Sequence, residues 1–143
     1  AAGIGAVIAA SASISGAEGG CQAEIGSASA MAAGAIAYLE GGDSEAITHA
    51  AALALKNMLG LTCDPVGGLV EVPCIKRNVS GAVNAVIASQ MVMAGIRSAI
   101  VPDEVIDSMR RIGRLLPVCL KETSQEGLAI TPSAQCVVAK LNH

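Results

Sequence analysis

The sequence predicts an all-α fold: a compact bundle of about six Ala- and Gly-rich helices with an irregular Cys/Pro/Gly loop in its middle. Three observations carry that expectation. Apolar residues recur at helical spacing on both sides of residues 61–78. The chain is 52% hydrophobic over 143 residues, yet it holds one Tyr, no Phe and no Trp, with 16 Gly and much of the apolar content supplied by Ala. Small side chains favour close helix packing, and a β-sandwich would want more Val, Ile and aromatic residues. Finally, Leu61–Asn78 gathers two of the five cysteines, two of the five prolines and the Gly67-Gly68 pair, a density that neither flanking helix can continue through.

In order, Ala1 to about Ser13 reads as a helix of very small residues, broken by Ser15–Gly20. Cys21 follows at the mouth of the next helix, about Gln22 to Glu40. Ile25, Met31, Ala32, Ile36 and Leu39 lie there on helical spacing, and Gly26, Ala30 and Gly34 form a small-residue row suited to close packing. Gly41-Gly42 ends it. Asp43 is an N-cap for a helix that runs to about Leu59 and stops at Gly60. His49, inside that helix, reads as a satisfied structural residue. Beyond the loop, Asn78 or Ser80 caps a helix from about Gly81 to Ser98, with Val83, Val86, Ile87, Met91 and Ala94 as its apolar face. Asn84 and Gln90 there are either satisfied core amides or a polar wall to a pocket. Pro102-Asp103-Glu104 starts the next helix, with Val105, Met109, Ile112 and Leu116 as a stripe and Arg110, Arg111 and Arg114 on a solvated face. Pro117 stops it. Cys119 lies in the turn that follows, and Thr131-Pro132-Ser133 opens a last helix that holds Cys136 and ends near His143.

Composition excludes several function classes. Net charge is -3, with no basic block, so there is no electrostatic footprint for nucleic acid. Mean hydropathy is +0.58. Yet the most apolar stretch, Ala82–Val101, is interrupted by Asn84, Ser89, Gln90 and Arg97, and a buried core helix is expected in place of a membrane span. An odd number of cysteines does not make a disulfide framework, and the reading is a cytoplasmic protein with reduced thiols. The length suits a single all-α domain, 1–143; the absent initiator Met and the high apolar content point to a fragment of a larger protein.

Cys21, Cys63 and Cys74 share a setting. Each lies at a helix end or in a loop with Gly or Pro neighbours, which fix the backbone and leave amides free to donate to sulfur, as around an iron–sulfur cluster. Zinc is the competing metal, but it usually wants a fourth ligand and a close Cys-x-x-Cys pair, which the sequence lacks. Read alone, each thiol could also be a small buried hydrophobe.

The neighbours of these cysteines carry a resemblance. Gly20–Ala28, Gly60–Gly68 with its Cys-Asp-Pro-Val-Gly-Gly run, Val72-Pro73-Cys74, Arg77-Asn78, and later Leu120–Thr123 and Gly127–Ala129 resemble the iron–sulfur-dependent L-serine dehydratases, in their α domain or, where the enzyme is split, their α chain. The resemblance implies that Cys21, Cys63 and Cys74 bind a [4Fe–4S] cluster with one iron lacking a protein thiolate. It implies β-elimination of water from L-serine to pyruvate and ammonia, without pyridoxal phosphate. It also implies a β domain or β chain as partner and a homo-oligomer. Some members of the family end in a cysteine that reaches the cluster; Cys136 lies near that point but the chain continues past it, so Cys136 is not expected to be a ligand. The proton-abstracting base is left unassigned. A related L-cysteine desulfidase and a non-catalytic helical interaction module are the alternatives.

Overall fold

The computed structural model describes residues 1–141, and among them it is all-α, with seven α-helices. These are α1 (Ala2–Ser11), α2 (Gly16–Gly19), α3 (Ser27–Leu39), α4 (Ser44–Lys56), α5 (Cys74–Met93), α6 (Pro102–Leu115) and α7 (Pro132–Leu141). A π-helical turn, Gln22–Gly26, leads into α3, and short 3-10 turns occupy Val66–Gly68, Val118–Leu120 and Gly127–Ile130. The expected all-α class holds; the seventh helix is the single turn α2, inside the Ser15–Gly20 segment read as a break. The expected end of the last helix, at His143, lies outside the described residues.

The core is built on alanine. Ala33 and Ala37 of α3, Ala50 and Ala54 of α4, and Ala85 and Ala88 of α5 are fully buried where these three helices meet. Residues this small let the backbones approach until no larger side chain fits between them. The small-residue row of α3 serves that end: Gly26 faces Leu55 and Met58, Ala30 is buried, and Gly34 packs against Ile4 and Ile47. A second apolar cluster joins Ile8 of α1, Leu55 of α4 and Val105, Ile106 and Met109 of α6.

Helix ends follow their local chemistry. The Asp43 carboxylate accepts from the Ala46 amide at 2.8 Å, as an N-cap should. Pro102 stands at the start of α6 with Asp103 and Glu104 in its first turn. His49 Nδ1 accepts from the Ser98 amide at 3.2 Å, a structural role. Asn84 is half-buried and its amide is satisfied: it donates to Ser29 Oγ and the Ala54 carbonyl and accepts from Asn57. Gln90 is exposed and donates to Glu40. Arg110 and Arg111 both pair with Asp107 on the outer face of α6.

Two expectations about α5 are corrected. It begins at Cys74, not near Gly81, because Pro73 can precede a helix without losing a needed amide; Asn78 and Ser80 lie inside and bond back to the Cys74 and Lys76 carbonyls. It ends at Met93, where Gly95 at positive φ turns the chain, not at Ser98. Its buried face is Gly81, Ala85, Ala88, Ser89 and Val92, while Val83, Val86 and Ile87 point outward. Close packing on α3 and α4 admits the small residues and expels the larger ones.

Candidate functional site

Three segments converge beside the N-terminus of α5. The first is the turn that carries Cys21. Gly20 has φ +78, and a Cβ there would stand 2.8 Å from the Leu61 carbonyl oxygen, so only glycine permits this approach. The Gln22 amide then donates to that same carbonyl at 3.0 Å, fastening Cys21 onto the loop of Cys63. The Gln22 side chain is fully buried and donates to the Gly19 and Met109 carbonyls while accepting from the Gly60 amide. One amide therefore ties α2, α6 and the end of the α4 segment together beneath Cys21.

The second segment carries Cys63 and Asp64. The Cys63 amide donates to the Leu120 carbonyl at 2.9 Å and its carbonyl accepts from the Glu122 amide at 2.7 Å, so a lone parallel bridge holds this loop to residues 120–122. The Ser124 hydroxyl donates to the Pro65 carbonyl and accepts from the Gly68 amide, bracing the Pro/Gly run from the same side. The third segment is the first turn of α5, with Cys74 at its start and Arg77 one turn on.

Cys21, Cys63 and Cys74 are all free and buried. Cys21 and Cys63 lie close enough for each thiol to shift the other's proton affinity. Arg77 Nη1 lies 3.9 Å from Cys21 Sγ, donates to the Thr62 carbonyl at 2.9 Å and pairs with Asp64 Oδ1 at 2.6 Å. Asp64 Oδ2 accepts from the Leu128 amide at 2.7 Å, which draws the 127–130 turn onto the loop. Gly127 has φ +68, and a Cβ there would be 2.5 Å from Asp64 Oδ2.

Burial pushes all three thiols above their ordinary pKa. At Cys63 the neighbouring Cys21 thiol adds to this, and at Cys21 and Cys74 the Arg77 charge works the other way. A metal would have to displace these protons, since thiolate is the ligand. Among the described residues no three His, Cys, Asp or Glu side chains are grouped to hold a single ion. A cluster asks for something different, one thiolate on each of several irons. Three buried sulfur donors and a guanidinium against one sulfur fit that demand.

The other two cysteines stand apart in character: Cys119 is half-buried in the turn after α6, and Cys136 is exposed on α7. The sequence reading named the three thiols but not Gln22, Asp64 or Arg77 as the groups that hold them. For Gln22 a signal existed, since a lone amide in a small-residue helix has to find partners once buried. Separately, an apolar cavity of about 440 Å³ lies between α1, α4 and α6, lined by Ile4, Val7, Leu55 and Ile106 and away from the thiols.

Comparison with known proteins bears on this arrangement. The family model described as "Serine dehydratase alpha chain" matches residues 1–129. A "Probable L-serine dehydratase, alpha chain" of Bacillus subtilis (strain 168) is 59% identical over 137 residues, covering 96% of this chain and 46% of that protein. A protein of the same description from Latilactobacillus sakei is 55% identical, covering 90% of this chain and 62% of that one. The "L-serine dehydratase, alpha chain" of Peptoniphilus asaccharolyticus is 48% identical, covering 93% and 46%. The chain thus spans about half the length of the relatives it matches.

Proposed function

The chain belongs to the serine dehydratase alpha-chain family, and on that premise we propose that it carries the cluster-binding part of a lyase that converts L-serine to pyruvate and ammonia. Cys21, Cys63 and Cys74 are the proposed ligands of a [4Fe–4S] cluster. A β chain or β domain and further copies of the enzyme complete the proposed assembly. The observation that supports this most is the burial of Cys21, Cys63 and Cys74 around the start of α5, with Arg77 Nη1 3.9 Å from the Cys21 sulfur.

Bound there, the cluster would supply Lewis acidity toward the hydroxyl and carboxylate of serine. The chain's own share is to hold the sulfurs in fixed backbone, to keep water from them by burial, and to place one cation beside Cys21. In the reaction the Cα–H bond breaks and its proton passes to a base. Its electron pair forms the Cα=Cβ bond, and the Cβ–O bond breaks with loss of water. Aminoacrylate then takes up water and yields pyruvate and ammonia.

The test is anaerobic reconstitution of the complete enzyme with iron and sulfide, followed by iron, sulfide and zinc counts on the wild type and on Cys63→Ala. Stoichiometric iron and sulfide, lost in the variant, is the expected outcome. Zinc in place of iron would overturn the cluster assignment, and the absence of any metal would favour a non-catalytic helical module. Pyruvate release from L-serine, compared with that from L-cysteine, separates the dehydratase from a desulfidase acting on a different leaving group.

A further inference from the structure

We propose that the Glu24 carboxylate receives the α-ammonium of the amino-acid substrate beside the three thiols, an assignment that rests on the lyase reading above. Glu24 lies in the π-helical turn Gln22–Gly26, three residues after Cys21. Such turns are rare and frequently mark functional sites, because the widened turn re-aims a side chain. Here Gln22, Ala23, Ile25 and Gly26 are buried and Glu24 alone is exposed. It is therefore the one side chain of the turn that a molecule in solvent can reach.

Its carboxylate is next to the thiols. A Cβ added to Gly16 would stand 3.0 Å from Glu24 Oε2 and 3.3 Å from Cys63 Sγ, so the carboxylate oxygen and the sulfur flank one point. The Glu24 charge is also felt at Cys21 and at Cys74. One exposed carboxylate thus lies beside Cys63 and within electrostatic reach of Cys21 and Cys74.

The charge census singles out this group. Arg77 is committed to Asp64, and Asp64 also holds the Leu128 amide. Glu122 is felt at Cys63 and not among the leading influences on Cys21 or Cys74. Among the described residues Glu24 enters no ion pair. An amino acid arrives as a zwitterion, and its ammonium needs a charged acceptor when it leaves water. Glu24 is placed to supply one, and it would orient Cα toward the thiol side.

Two ligands that differ only in the ammonium isolate this contact. L-alanine and propionate share the methyl and carboxylate groups and neither has a leaving group to lose. Calorimetric binding of each to the reconstituted complete enzyme is measured for the wild type, Glu24→Gln and Glu122→Gln, with the KM for L-serine and the iron and sulfide content taken alongside. Glu24→Gln is expected to weaken L-alanine by about 10-fold or more, to leave propionate unchanged and to raise the KM in step. Glu122→Gln should change neither ligand. Equal loss of both ligands, no loss of either, or a drop in iron content in Glu24→Gln would overturn the proposal. A wild type that takes up no iron and sulfide would instead overturn the lyase reading on which it rests.

Discussion

At the scale of single residues, Asp64 decides how the thiol loop is held. Its side chain is 4% exposed, and its two oxygens face different segments, Arg77 of α5 and the Leu128 amide. Asp64→Ala would leave a largely buried guanidinium without its anion and a backbone amide without its acceptor. Removing one partner of a buried pair costs about 3–5 kcal/mol, and the amide adds to that. The expected result in urea unfolding is a loss of that order, together with iron retention about 10–100-fold weaker against a chelator, as for other groups that orient metal ligands. Unchanged iron retention would show that Arg77 and Asp64 support the loop alone and not the sulfurs. Little of this was legible in advance. The three cysteines were singled out by their Gly and Pro neighbours and by resemblance to a known family. The pairing of Asp64 with Arg77 joins residues 13 positions apart across a Pro/Gly run, and no period or spacing announces it.

At the scale of elements, legibility depended on what each signal measures. Caps and breakers act locally, so Asp43 and Pro102 marked the starts of α4 and α6 correctly. The face of α5 was misread because hydrophobicity was taken as the measure of burial. In a packing of alanines, contact distance decides, and Val83, Val86 and Ile87 are too large for the face that meets α3 and α4. The π-helical turn was invisible too, since its sequence reads as an ordinary start to α3. The contrast between the two faces can be measured. Ala88 has no exposed surface, so Ala88→Leu should overpack the interface and cost about 1–3 kcal/mol or more. Val83 is 53% exposed, so Val83→Ala should shift stability by no more than about 0.5 kcal/mol. Thermal unfolding of the two variants checks this, and a reversed order would mean that α5 is rotated from the orientation described.

At the scale of the whole molecule, the outward face of α5 poses the remaining structural question. Ile75, Val79, Val83 and Ile87 recur at every fourth position along it, and each is about half exposed. A continuous apolar stripe of this kind on a helix marks an interaction surface more often than a solvated one. Among the described residues no helix is long and apolar enough to cross a membrane, so lipid has no claim on the stripe as a span. The stripe begins one residue after Cys74, and the chain spans about half the length of its relatives. The rest of the enzyme proposed above would cover α5 and close the approach to Cys74 at the same time. Val79→Glu with Val83→Glu tests it, because both side chains are exposed and neither change should lower the stability of the chain alone by more than about 1 kcal/mol. In the complete enzyme the double variant is expected to shift sedimentation toward smaller species and to expose α5 amides to hydrogen exchange. Assembly and exchange that match the wild type would place this face in solvent and remove α5 from the interface.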